Sequence, residues 1–381
     1  MNSRERVIKA INHQEPDCVP LDFNPLYDFY IELKKYLKID CDEQVRHNFA
    51  MEVVPHPMVI KKLGIDISSV KLGSPKGQKK EPRADGLVED DWGVIYRIVE
   101  QPGGGRYYEV VNPPLKDAKL SDLASYSWPV PDLPGRGEEA EKNAKALYED
   151  TEFAIMGRFG GPITETALYM LGMENWMIRL ASDPNFMEGL LTKITDIQIA
   201  LDRIGLEATA KYLQIFKASG EDLGMQTGPL YSMKMFKNQL LPHLKRRFQA
   251  ARKYLDSVNP SVKIMLHSCG SISRFIPDLI EAGIEIIDPI QPHAAEMKSA
   301  DLKDKFGDKI SFHGGIDIQQ VLPFGTKDEI EEEVRMRINA LGHDGGYILA
   351  PAHNVQADVK PENIIFMIEA AKKFGRYPLY V

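Results

Sequence analysis

Val262-Lys263-Ile264-Met265-Leu266-His267-Ser268-Cys269-Gly270 is an apolar run that ends in a histidine, a cysteine and a glycine. A short run of this kind, apolar at nearly every position, is what a strand covered on both faces requires, and parallel sheets are built from such strands. Seven further segments read the same way: residues 19–23, 65–72, 153–159, 212–218, 284–290, 310–315 and 346–351. Between them lie longer stretches with helical spacing. Residues 232–255 predict a long helix kinked near Pro242, residues 327–341 a second crossover, and Lys360-Pro361-Glu362 the start of a last helix. Proline suits a first helical turn and the acid suits its dipole. Strands alternating with helices, with a strand count of eight, predict an α/β protein folded as a (β/α)8 TIM barrel.

Residues 73–150 break this rhythm after the second strand. They are rich in glycine, proline and charge, include a triple glycine at 103–105, and contain two strand-like pieces at 92–99 and 107–111. The reading is an inserted β-hairpin segment within a single domain covering residues 1–381, serving as a lid, a dimer surface or a determinant of substrate specificity.

Composition narrows the function classes. With 43% hydrophobic and 27% charged residues, disorder and coiled coil are excluded. A net charge of −8 offers no diffuse positive field for phosphate backbones or anionic lipid, so no nucleic acid and no membrane partner is expected. Three scattered cysteines, Cys18, Cys41 and Cys269, cannot make a disulfide framework and point to a reducing, cytoplasmic setting. The first residues are charged and polar, unlike a signal peptide, and no run approaches the ~20 apolar residues of a spanning helix.

A barrel of this type places its chemistry at the carboxyl ends of the strands. Those positions hold Asp22, Arg158, Glu221, Asp222, His267, Cys269, Asp288, Gln291, His313, Asp317 and His353. His267 and Cys269, two residues apart at a strand end, can reach one ion, and His353 after the last strand is the natural third ligand. Zinc takes nitrogen and sulfur donors, and catalytic sites hold it with three protein ligands and leave a fourth position open. Spacing alone is a weak signal, because a histidine bonded to a backbone carbonyl beside a small buried cysteine is the commoner arrangement. Gly270 strengthens the metal reading, since glycine lets a backbone approach an ion closely.

The glycine-rich loop at 218–229 carries Glu221, Asp222 and Gln226. Either carboxylate could orient substrate or act as a general base, and Gln226 could bond a substrate oxygen; the alternative is a helix cap and turn set. Arg158, among Gly157, Gly160 and Gly161, could receive an anion or pair with a structural acid. Asp22 and His313 are candidates for substrate contact, with a structural role as the alternative. Residues 169–176 read as core or pocket wall.

The chain resembles the uroporphyrinogen decarboxylase superfamily. The likeness runs from Arg4-Glu5-Arg6-Val7-Ile8-Lys9-Ala10-Ile11-Asn12-His13, Pro16-Asp17 and Val19-Pro20 to His353-Asn354-Val355-Gln356 and Pro361-Glu362-Asn363. The resemblance implies a (β/α)8 barrel and two branches of function: true decarboxylases, and zinc-dependent methyltransferases that exchange methyl groups with a corrinoid protein. Decarboxylases carry an Arg-Gln-Ala-Gly-Arg type loop near the N-terminus for an acidic porphyrinogen. Here the sequence after Pro20 has no arginine cluster. The methyltransferase branch has His-x-Cys after a strand, matched by His267 and Cys269, and a later cysteine that is replaced here by His353. A glutamate ligand common in that branch is not evident; Asp288 and Gln291 lie near its place.

Zinc with a single thiolate keeps net positive charge and suits polarising a substrate oxygen. The expectation is a zinc-dependent methyltransferase that moves a methyl group from a small methylated substrate, such as a methoxylated compound undergoing O-demethylation, to a corrinoid carried by a partner protein. The segment around Gly103 would serve as the partner-binding rim, and a homodimer is compatible. The alternatives are a uroporphyrinogen decarboxylase and a non-catalytic accessory barrel.

Overall fold

The computed structural model describes residues 1–379 apart from 43, 46–50, 77–84 and 101–104. Its centre is a curled parallel sheet. Counting along the chain, β1 is Ile67–Lys71, β2 to β4 are Val88–Glu89, Ile95–Glu100 and Arg106–Asn112, and β5 is Ala154–Arg158. Next come β6 (Ile215–Gly220), β7 (Lys263–His267), β8 (Ile286–Ile290), β9 (Ser311–Ile316) and β10 (Tyr347–Pro351). The parallel sheet runs β10-β9-β8-β7-β6-β5-β1, seven strands in TIM-barrel-like order.

Eight strands are expected from the sequence and seven form. Residues 19–23 are not a strand but an extended segment between the two edges of the sheet. On one flank the Leu349 N–H donates to the Pro20 carbonyl at 2.9 Å and the Asp22 N–H to the Leu349 carbonyl at 3.0 Å. On the other flank the Asp66 N–H reaches the Leu21 carbonyl at 2.9 Å, while the Leu21 N–H donates to the Asp66 side chain at 2.8 Å. Pro20 has no N–H and Asp66 answers with its side chain, so a regular ladder cannot propagate.

The N-terminal end of the sheet is plugged by the helix Ser3–Ile11, which Asn2 and Glu5 open with a capping box. Its Val7 and Ile11 pack into a separate apolar cluster with Ile67, Ala154, Met156, Ile215, Met265, Ile286 and Ile348. Full burial of such side chains is worth about 1.5–3 kcal/mol each.

The outer helices match expectation, with one refinement. Lys327–Leu341 starts at a Thr326/Glu329 capping box, and Pro361–Phe374 has its proline in the first turn. The stretch at 232–258 divides into a short turn, a π-helical segment Phe236–Leu240 and the helix Leu241–Val258, with Pro242 just inside the latter. Proline cannot donate backward into the preceding turn, which accounts for the irregularity there.

The segment after β1 is a three-stranded antiparallel sheet, β2-β3-β4, rather than a two-stranded hairpin. Tyr126 and Trp128 pack against Trp92 in the turn between β2 and β3, and the Tyr126 hydroxyl donates to the Trp92 carbonyl at 2.6 Å. Gly103 lies outside the described residues. Among the described residues no helix is long and apolar enough to cross a membrane.

Candidate metal centre

His267 is the last residue of β7, Cys269 lies two residues on, and His353 lies two residues beyond β10. One donor atom from each falls within 4.8 Å of the others. His267 Nε2 is 3.1 Å from Cys269 Sγ, and the two imidazole rings sit 5.4 Å apart at 74°. On its other side His267 Nδ1 meets Asp288 Oδ2 at 2.8 Å. A carboxylate accepts, so Nδ1 is the donor on this side, and Nε2 is the ring atom turned toward the cysteine.

The turn that presents Cys269 needs glycine. Gly270 has φ +75°, and a Cβ there would stand 2.5 Å from the Gly224 carbonyl carbon. The loop after β6 thus lies backbone to backbone against the cysteine turn, with the Ser271 N–H donating to the Met225 carbonyl at 2.9 Å.

Asp288, on β8, is the electrostatic hub. Lys217 Nζ donates to Oδ2 at 2.5 Å, and His313 Nδ1 reaches Oδ1 at 2.6 Å. Burial works against the charged carboxyl, but Lys217, His313 and His267 outweigh it and hold Asp288 well below the usual carboxylate range. His313 also reaches Asp22 Oδ2 through Nε2 at 3.0 Å. Both its nitrogens face carboxylate oxygens, which only the doubly protonated ring can satisfy. Burial pulls His313 down, yet Asp288 and Asp22 push it up to about 9.

Burial, then Asp222 and Asp288, push the Cys269 thiol well above its ordinary range. Burial, then the nearby His267, lowers His353 to about 4, so its ring stays neutral and keeps a lone pair. Two imidazoles and a thiol whose donor atoms converge form a set that zinc would complete, with a carboxylate already orienting one histidine.

The structure distributes the remaining sequence candidates unevenly. Asp222 joins the cluster, its Oδ1 accepting the Cys269 N–H at 3.2 Å. Glu221 points the other way and is fully buried. Its carboxylate accepts from the Ile163 and Thr164 N–H groups at 2.7 and 2.8 Å and from the Thr164 hydroxyl, at the start of the helix Thr164–Leu171. Gln226 lies exposed on the rim and donates to Gln291 Oε1 at 3.1 Å. Arg158 bonds Glu52 Oε2 at 2.9 Å, and Asn354 donates to Glu52 Oε1 at 3.2 Å, next to His353. Asp22 and His313 lie behind Asp288 rather than at the mouth.

Three residues escape the sequence reading. Lys217 is a lysine inside an apolar strand, a signal that could have found it. Glu52 and Glu165 give none. Glu165 Oε2 is buried with no hydrogen-bond partner. Burial, then Asp222 and Glu221, push its carboxyl well above the usual range. Beside His353 a cavity of about 140 Å³ is lined by Tyr27, Asp28, Arg106, Tyr107 and Asn354 among others.

Comparison with known proteins bears on the fold and the family. The solved structure of a methyltransferase from Methanosarcina mazei aligns with 98% of this chain and 99% of its own, at TM-score 0.63 and 18% identity, a likeness of fold. Uroporphyrinogen decarboxylase from Nostoc punctiforme is 25% identical over 226 residues, 58% of each protein, and that from Danio rerio is 27% identical over 211 residues, 53% of this chain and 50% of the relative. The one from Syntrophotalea carbinolica is 23% identical over 284 residues, 72% of this chain and 76% of its own. The chain therefore spans about half the length of the first two. The family model for uroporphyrinogen decarboxylase (URO-D) matches residues 103–374, well over half of the chain, and the chain belongs to that family.

Proposed function

We propose that this protein is a zinc-dependent methyltransferase that takes a methyl group from a small methylated compound, with a methoxylated compound undergoing O-demethylation as the leading class, and passes it to a corrinoid protein. The observation that carries the reading is the His267, Cys269, His353 cluster at the mouth, with Asp288 behind His267. We also read the fold as a complete (β/α)8 barrel, residues 19–23 filling the eighth position.

His267 Nε2, Cys269 Sγ and His353 would hold the metal. Bound zinc supplies a Lewis acid for the atom that carries the methyl group. Asp288 fixes the His267 tautomer, and Lys217 with His313 keeps Asp288 charged. Glu165 and Asp222 form a carboxyl pair beside Cys269 that can hold a proton near the departing group.

Charge also separates the two branches of the family. Lys217, Arg158 and Arg106 are each engaged by a carboxylate, Asp288, Glu52 and Asp28 respectively. Asp222 adds an acidic group beside Cys269. An octacarboxylate would meet committed cations and further acids, whereas a small neutral donor meets no such penalty. The second reading, porphyrinogen decarboxylation, rests on the family match.

The deciding assay supplies methoxylated aromatic and aliphatic compounds with a cobalt(I) corrinoid protein and follows methylcobalt formation optically. Zinc-dependent methylation of cobalt, lost in C269A, is the expected result. Turnover of uroporphyrinogen by metal-free protein, with no methyl transfer, overturns it.

A further inference from the structure

Gln291 stands one residue beyond β8, and its side chain spans the two loops that carry the cluster. Its Oε1 accepts the Gly270 N–H at 2.8 Å, and its Nε2 donates to the Ala352 carbonyl at 3.4 Å. Gly270 directly follows Cys269, and Ala352 directly precedes His353. One amide thereby ties the turn that carries the thiol to the turn that carries the second imidazole. From the rim, Gln226 Nε2 adds a bond to the same oxygen at 3.1 Å.

The chemistry calls for an amide. A backbone N–H and a backbone C=O are served together only by a side chain that both accepts and donates. A carboxylate would accept from Gly270 but leave the Ala352 carbonyl facing an oxygen, and an apolar side chain would serve neither.

We propose that Gln291 is a positioning residue for the metal centre, setting the separation of Cys269 and His353 so that the donors are arranged before a metal arrives. The proposal rests on reading the cluster as a metal site and deepens that reading. It assigns to Gln291 no contact with metal or substrate. Its action runs through the Gly270 and Ala352 backbone.

The test uses the full chain with zinc alone as the probe. Q291M keeps most of the side-chain volume without either hydrogen bond, and Q291N keeps the amide but is one methylene too short to span both loops. Zinc affinity is measured by competition with a chromophoric chelator, and amide exchange at Gly270 is followed in the metal-free protein. Both variants are expected to bind zinc roughly 10–100-fold more weakly than wild type, the usual cost of losing support around a metal ligand. The Gly270 amide is expected to exchange faster, with the melting temperature of the metal-free protein nearly unchanged. Affinity within twofold of wild type in both variants overturns the positioning role and leaves the metal centre standing. A wild type that takes up no zinc overturns the metal reading and the positioning role with it.

Discussion

His267 Nδ1 lies 2.8 Å from Asp288 Oδ2, and the same oxygen receives Lys217 Nζ at 2.5 Å. One buried carboxylate thus orients a candidate metal ligand and neutralises a buried lysine. Replacing Asp288 by asparagine keeps the shape and removes the charge. D288N is expected to lower zinc affinity roughly 10–100-fold. It should also destabilise the fold by about 3–5 kcal/mol, because Lys217 is left buried without its counter-ion. Chelator competition and urea unfolding measure the two effects separately. A variant as stable as wild type would show that Lys217 finds another partner.

His313 gives the fold a pH signature. Its folded-state value, about 9, stands above the ordinary 6.5, so its contribution is complete below that ordinary value and fades as pH rises through about 9. Wild type should therefore lose more stability than H313N between pH 7 and roughly pH 10, in unfolding free energies from urea titration. Parallel losses in the two proteins would contradict the doubly protonated ring.

Gly270 has both a left-handed backbone and a neighbour where a side chain would go. G270A is expected to cost about 1–3 kcal/mol in stability through backbone strain. It should also displace Cys269 and reduce zinc uptake, read by metal analysis on folded protein. Normal zinc content in a destabilised but folded G270A would separate the turn from the site.

Glu221 and Asp222 are neighbours with opposite prospects. E221A removes the acceptor for three donors at the start of Thr164–Leu171 and should destabilise by about 3 kcal/mol or more. D222N faces the cysteine turn and should reduce methyl transfer with a smaller effect on unfolding. Comparable destabilisation by the two variants would remove the distinction.

Much of this was legible in the residues. The apolar runs located the seven strands because strands covered on both faces have no alternating pattern to mislead. The eighth failed at Pro20, where a missing donor and an aspartate side chain replace a ladder that composition alone suggests. His267, Cys269 and His353 were readable together because barrel topology brings strand ends to one mouth whatever their distance in sequence. Glu221 could not be separated from Asp222, since adjacent residues on a loop point in directions that only the neighbouring helix decides. Glu52 and Glu165 were invisible for a related reason: each meets its site by packing across elements, and nothing in their local sequence marks it.

The most direct test of the central claim is metal content by mass spectrometry on protein purified without added zinc or an affinity tag, comparing wild type with C269A and H353A. The account predicts close to one zinc per chain in wild type and little in either variant. Wild type that carries no zinc, even after zinc is offered, would contradict it.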